Sequence, residues 1–190
     1  MKRQPLLELL RAHQPANETE AQMQQESIAF VQHEPHCFER WLEAGHVTGS
    51  AWIVDETRQH ALLMHHRKLD RWFQPGGHAD GESDILQVAL KEAQEETGLA
   101  DFKIVSPAIF DVDVHLIPAR GQMPAHFHYD IRFLLQADAR KPLLQNEESN
   151  GLQWIELANV WQYNNSESIL RMVDKIILNS ATSETRNDEL

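Results

Sequence analysis

The 190-residue sequence predicts an α/β (α+β) fold, in which helices flank a mixed β-sheet. Short runs rich in β-branched and aromatic residues begin at His46. One strongly amphipathic helix lies between the second and the third of these runs. The first 44 residues differ, because leucine, glutamine and glutamate recur there at helical spacing. Together these observations predict a sheet domain with a helical extension at its N-terminus.

Two helices are predicted in the extension, which spans residues 1–44. The first contains a cluster of leucines between residues 6 and 10 and ends before Pro15. The second runs from about Glu18 to Val31. We expect this extension to pack on the main domain or on a second subunit, so a homodimer is one expectation.

The main domain is predicted to span residues 45–178, followed by a flexible polar tail at 179–190. Its helices are expected at about 84–97 and 168–178. Its strands are expected at 47–54, 61–65, 102–114, 128–136 and 152–155.

Composition excludes several function classes. Acidic residues outnumber basic ones by 29 to 17, and a net charge of −12 disfavours binding to nucleic-acid polymers. One cysteine excludes an internal disulfide and a multi-cysteine zinc site. We find neither an apolar run of about 18 residues nor a signal peptide, and therefore expect no membrane association and a cytoplasmic location.

A glycine-rich loop followed by the amphipathic helix carries the chemistry. Gly76 and Gly77 lie in the loop, and Gly98 is positioned to end the helix. The helix presents an apolar stripe at i, i+3, i+4 and i+7, made of Leu86, Ala89, Leu90 and Ala93.

Three acids occupy the last turns of this helix, at i, i+3 and i+4: Glu92, Glu95 and Glu96. Like charges at this spacing repel, and the negative end of the helix dipole disfavours them further. A hard divalent cation with oxygen ligands, Mg²⁺ or Mn²⁺, would offset both effects. The alternative is an acidic face exposed to solvent.

The segment from Gly77 to Leu99 resembles the signature of the Nudix hydrolases. Gly77 matches its first glycine, and Glu92, Glu95, Glu96 and Gly98 match its second half in register.

Two further positions depart from the Nudix pattern. Lys91 stands where the family has arginine, which keeps the charge but loses the two-pronged donor geometry. Glu82 lies one residue before the position of the first glutamate, which Ser83 occupies.

The resemblance implies a Nudix-type α/β/α sandwich and a Mg²⁺-dependent pyrophosphohydrolase, with Mn²⁺ as a possible substitute. The substrate class would be small molecules with a diphosphate linkage, of the nucleoside diphosphate type. Glu92, Glu95 and Glu96 would hold the metal, Lys91 would orient a carboxylate, and Gly76 and Gly77 would lie against the substrate. The alternative is a Nudix-like module that binds a nucleotide without cleaving it.

The general base is left open among Glu95, Glu147 and Glu148. Three basic residues precede the glycine loop and are predicted to contact substrate phosphates: Arg67, Lys68 and Arg71. Their alternative role is to keep an exposed turn soluble.

A second polar patch is predicted on two later strands. Asp111, Asp113 and His115 alternate on one strand, and His126, His128 and Asp130 alternate on the next. Antiparallel pairing with residue numbers summing to 241 would place all six on one face. This patch would bind a second metal or the leaving group, with His126 and His128 as substrate contacts. Its alternative role is the solvent-facing side of the sheet.

Overall fold

The computed structural model describes residues 2–185 of the chain. Its helices are α1 (Gln4–Ala12), α2 (Glu18–His33), α3 (Ile85–Thr97) and α4 (Glu167–Thr185), with a 3₁₀ turn at Leu157–Gln162. Its strands are β1 (Gly45–Val54), β2 (His60–His66), β3 (Arg71–Phe73), β4 (Gly76–His78), β5 (Lys103–Ile104), β6 (Asp111–Ile117), β7 (His126–Gln136) and β8 (Ser149–Glu156).

The mixed sheet is built around β1. This strand pairs in parallel with β7, from Gly45 opposite Phe127 to Val54 opposite Gln136. It also pairs antiparallel with β2 and with β4. On one side β2 continues to β3 and β8, and on the other β7 continues to β5 and β6. The predicted mixed sheet is therefore confirmed.

Helices cover both faces of the sheet. The first core contains apolar residues of α1, α2 and α3 packed on one face, and the second contains those of α4 and the 3₁₀ turn packed on the other. Leu6, Leu10 and Val31 are fully buried in the first core, so the N-terminal extension packs on the main domain. Within residues 2–185 we find no helix with the length and apolar content of a membrane span.

Four elements differ from the sequence prediction, and one of them is the short strand β3, which was not predicted. The strand expected at 102–114 is divided into β5 and β6, because Pro107 has no N–H to donate to a strand partner. The glycines expected in a loop form β4, whose Gly76 and Gly77 lie opposite Ser50 and Gly49. Helix α4 continues through the boundary predicted at residue 179, and residues 186–190 of the predicted tail lie outside the described residues.

The predicted register of β6 and β7 is wrong by two residues. Asp113 lies opposite Asp130 and His115 opposite His128, so paired residue numbers sum to 243. The hairpin turn sets this register, because the bridge between Arg120 and Met123 closes a tight turn that contains Gly121 at φ 61°. Because side chains alternate between the two faces of a strand, a shift of two residues leaves each side chain on its predicted face. The six polar residues therefore share one side of the sheet.

Candidate functional site

Helix α3 and strand β4 form the centre of the site. Asp84 caps α3 by accepting a hydrogen bond from the Gln87 N–H, and Gly98 ends it in the left-handed conformation at φ 70°. The helix lies so close to β1 that a Cβ added to Gly49 would be only 2.9 Å from a side-chain carbon of Ile85. This close packing positions the last turns of α3 directly beside β4.

Two glutamates of α3 contact the backbone of β4. The Glu96 carboxylate accepts a hydrogen bond from the Gly76 N–H at 3.0 Å. The Glu92 carboxylate fills the space beside Gly77, where an added Cβ would lie 2.5 Å from its carboxyl carbon. The glycines are therefore needed here because a side chain on either residue would displace its neighbours.

Burial makes these two carboxyl groups costly to ionise. Glu96 is 3% exposed, and burial raises its pKa to about 8, while the charges of Glu92 and Glu148 act in the same direction. Burial also raises the pKa of Glu92, with Glu95 and Glu148 adding to the shift. Carboxylates crowded together in this way form a set of oxygen donors that suits a hard cation.

The third predicted acid has a different environment. Glu95 is 56% exposed, and Lys91 Nζ lies 3.8 Å from its carboxylate on the outer side of α3. Lys91 therefore contacts Glu95 rather than Glu92. Glu82 accepts hydrogen bonds from the N–H groups of Ser83 and Asp84, so it supports the start of α3.

The loop before β8 adds an acid to the site. Asn146 donates a hydrogen bond to the Glu95 carbonyl at 3.3 Å and accepts one from the Glu148 N–H at 2.9 Å. Glu148 is close enough to raise the pKa of both Glu92 and Glu96. Of the two loop acids proposed as general base, Glu148 therefore contributes to the electrostatics of the glutamate pair.

Sequence reasoning missed a cation near this pair. Arg40 forms a two-pronged ion pair with Asp80, and Glu92 and Glu148 also raise the pKa of Arg40. No motif marks this arginine, because it lies in the segment between α2 and β1 and reaches the site only through the fold.

The three predicted phosphate-binding cations lie on the turn between β2 and β3 and at the start of β3. Arg67, Lys68 and Arg71 are all exposed. Arg67 donates hydrogen bonds to the Ser149 carbonyl and the Asn150 side chain, and Arg71 lies over the Phe73 ring. Their predicted role in binding phosphate remains a prediction.

The predicted second patch divides into an ion network and a group of histidines. Three members of the patch are buried and pair with a buried cation: Asp111, Asp113 and Asp130. They are therefore not on a solvent-facing side of the sheet, and their charges are compensated by protein side chains rather than available together for a metal. Arg132 contacts all three aspartates, and Arg171 donates to Asp111 at 2.8 Å. The prediction did not include these partners. Arg171 lies on α4, and Arg132 lies on β7 two residues after the last member of the predicted patch.

Glu20 extends this ion network to the N-terminal helices. Its carboxylate accepts hydrogen bonds from Lys175 Nζ at 2.6 Å and from the Ala16 N–H at 2.7 Å. Lys175 also donates to Asp111 at 2.8 Å. The network therefore connects α2, β6 and α4 through charges that are removed from water.

Acid should weaken this network. Burial alone would raise the pKa of Glu20, but hydrogen bonds from His13, Ala16 and Lys175 outweigh it and hold the pKa well below 4.5. Asp113 behaves similarly beside Arg132. A lowered native pKa stabilises the fold above the unfolded-state pKa, and this stabilisation is lost as the pH falls. Urea unfolding should therefore show a free energy of unfolding that decreases steadily below about pH 4.5. A free energy that stays constant or increases below that pH would contradict this expectation.

The histidines of the predicted patch join two others. His126 and His128 of β7 meet His46 of β1, with ring centroids 5.0 and 4.8 Å from His46. His78 of β4 lies 4.9 Å from His46 by the same measure. Burial lowers the pKa of His46 to about 4, and neighbouring His78 and His126 add to this shift.

Comparison with known proteins gives the family. The model of the NUDIX domain matches residues 45–175. The chain belongs to the NUDIX family. It is a Nudix hydrolase, an enzyme that acts on phosphorus-containing acid anhydrides. No curated protein matches the sequence.

Solved structures share the fold of this Nudix hydrolase. An Ap4A hydrolase of C. elegans in a binary complex is similar with a TM-score of 0.57 and 16% identity, over 72% of this chain and 98% of that chain. The dihydroneopterin triphosphate pyrophosphohydrolase of E. coli has a TM-score of 0.54 and 13% identity, over 70% and 95%. A Nudix hydrolase of M. smegmatis has a TM-score of 0.51 and 17% identity, over 73% and 88%.

Proposed function

We propose that this Nudix hydrolase is a Mg²⁺-dependent pyrophosphohydrolase that cleaves a diphosphate linkage in a small nucleoside diphosphate-type substrate in the cytoplasm. The pair of buried glutamates against the glycine strand carries this proposal. Glu96 accepts a hydrogen bond from the Gly76 N–H, and the Glu92 carboxylate occupies the space that a side chain on Gly77 would take. The shared fold is compatible with the substrate class, since two neighbours are named for Ap4A and dihydroneopterin triphosphate.

The donor set fits Mg²⁺, with Mn²⁺ as a substitute, because it consists of carboxylate oxygens. Glu92, Glu95 and Glu96 would hold the ion, which when bound neutralises charge on phosphate oxygens and activates water. Burial, and after it the neighbouring carboxylates, raises the pKa values of Glu92 and Glu96, and a bound cation would offset both effects.

The chain's own groups have distinct roles in this proposal. The Gly76 amide fixes the direction of the Glu96 carboxylate, and Lys91 pairs with Glu95 on the outer side of α3. We assign Glu148 as the candidate general base, because it follows Asn146, which contacts the Glu95 carbonyl, and its charge acts on both Glu92 and Glu96. Since Glu92 and Ser50 fill the spaces beside Gly77 and Gly76, these glycines would act on the substrate through the position of β4. Arg67, Lys68 and Arg71 would bind the charge of the phosphate groups.

A screen of nucleoside diphosphate derivatives tests the proposal. The purified chain should release phosphate or a nucleotide only when Mg²⁺ or Mn²⁺ is present, and a chelator should stop the reaction. Binding of the same compounds without turnover would instead support the non-hydrolytic, sensing alternative. A substrate identified in this screen provides the assay for the variants below.

Substituting Gly77 with alanine should lower turnover by at least about tenfold, because the new Cβ would push the Glu92 carboxylate out of its position. The fold should survive, since the clash involves the far end of a flexible side chain. Steady-state kinetics and thermal unfolding measure the two effects. Gly151→Ala is the matched control, because its Cβ would lie at an ordinary 3.8 Å from the Trp72 ring. Equal kinetics in both variants would argue against a role for the Glu92 position.

A further inference from the structure

Three histidines from three different strands converge on the sheet face opposite α3. We name them the histidine cluster: His46 of β1, His78 of β4 and His128 of β7. His46 lies opposite His128 in the parallel pair, and His78 lies opposite Thr48, two residues after His46. Strand alternation therefore places all three rings on one face, while the neighbouring Gly77 faces Glu92 on α3.

Three ring nitrogens of the cluster have no hydrogen-bond partner of normal geometry inside the protein. His46 is 2% exposed, yet neither of its ring nitrogens has a hydrogen-bond partner of normal geometry. The buried Nε2 of His128 also has none. A buried polar atom without a partner costs about 1–3 kcal/mol, so a ligand that accepted one lone pair from each ring would remove part of this penalty.

The spacing of these nitrogens suits a shared ion. One ring nitrogen from each of the three histidines lies within 4.8 Å of the other two. Tetrahedral Zn²⁺ with bonds of about 2.0–2.1 Å to imidazole needs nitrogens about 3.4 Å apart, which small side-chain rotations would reach from here.

We propose that His46, His78 and His128 form a binding site for one Zn²⁺-like divalent transition-metal ion, separate from the glutamates of α3. Imidazole nitrogen favours zinc, copper, nickel and iron, whereas Mg²⁺ and Mn²⁺ favour the oxygen donors on the opposite face of β4. Three protein ligands would leave a fourth position for water or for a further side chain.

Two histidines beside the cluster have the kind of contact that orients an imidazole ring. His126 Nδ1 lies 2.9 Å from the Pro124 carbonyl, which fixes the proton on that nitrogen and leaves Nε2 as the nitrogen able to bind a metal. Since the His126 ring is 5.0 Å from that of His46, it is the nearest candidate for the fourth position. His115 is held in the same manner, with Nδ1 2.9 Å from the Asp113 carboxylate.

Zinc titration of the full-length chain tests this site. After treatment with a chelator, competition against a chromophoric zinc indicator should show one tightly bound Zn²⁺ per chain. Co²⁺ in its place should give the visible absorption of four-coordinate cobalt–imidazole sites. His78→Gln and His128→Gln change partly exposed rings, and each should weaken Zn²⁺ binding by more than about tenfold.

Two matched variants separate this site from other zinc-binding groups. His33→Gln removes an exposed histidine at the end of α2 and should leave the affinity unchanged. The double variant Glu92→Gln/Glu96→Gln should keep the zinc stoichiometry, so the result does not depend on the proposed function. Circular dichroism checks that each variant is folded. The proposal is overturned if the folded wild type binds no Zn²⁺, if both cluster variants bind it as tightly as wild type, or if the glutamate variant loses it.

Discussion

Glu96→Gln should lower Mg²⁺-dependent turnover by at least about 100-fold while the protein stays folded. Glutamine keeps a side-chain oxygen that can accept the hydrogen bond from the Gly76 N–H, so the contact between α3 and β4 survives. It removes the negative charge on which cation binding depends. The free energy of unfolding should not fall, because a buried carboxyl crowded by Glu92 is replaced by a neutral group.

The readout for Glu96→Gln is turnover measured over a range of Mg²⁺ concentrations, together with urea unfolding of the same preparation. Glu43→Gln makes the identical chemical change on an exposed residue before β1 and should behave as wild type. Wild-type turnover in Glu96→Gln would show that this glutamate is not needed for the reaction. A variant that loses both activity and stability would point to a structural role instead.

Local sequence patterns predicted the elements because their causes are local. The i, i+3, i+4 stripe and the left-handed Gly98 fix α3, a leucine-rich run fixes α1, and a run rich in glutamate and glutamine fixes α2. The Nudix-like spacing predicted that Glu92 and Glu96 lie near each other on α3, because residues i and i+4 of one helix share a side. The 102–114 segment has a continuous β pattern that Pro107 interrupts. Strand propensity alone does not show whether such a segment forms one strand or two.

Features that depend on tertiary contacts were not predictable. The β6–β7 register is set by a turn at Gly121, and an error of two residues leaves the polar–apolar alternation unchanged. The pairing of Arg171 with Asp111 requires helix α4 to cover that face, and the pairing of Arg132 with Asp111 depends on the β6–β7 register. Likewise, His46 and His78 belong to strands far apart in sequence, so only the sheet order brings them to His128.

The N-terminal helices should contribute strongly to stability through one charge. Glu20 is fully buried, and its carboxylate accepts hydrogen bonds from Lys175, the Ala16 N–H and the Val112 N–H. Glu20→Gln would remove one of the two carboxylates that pair with Lys175 and would leave this cation with Asp111 alone. We expect the free energy of unfolding to fall by about 1.5–3 kcal/mol, and the Tm by on the order of 5 °C.

Urea and thermal unfolding measure this loss, and Glu26→Gln on the exposed face of the same helix should change stability by no more than about 0.5 kcal/mol. Activity at a temperature well below the transition separates stability from catalysis, because Glu20 contacts Lys175 and His13 rather than the glutamates of α3. If Glu20→Gln unfolds with the wild-type midpoint, then the Glu20 charge contributes nothing to holding the extension. If it is destabilised as expected, one charge links the N-terminal extension to β6 and α4, because Lys175 pairs with both Glu20 and Asp111.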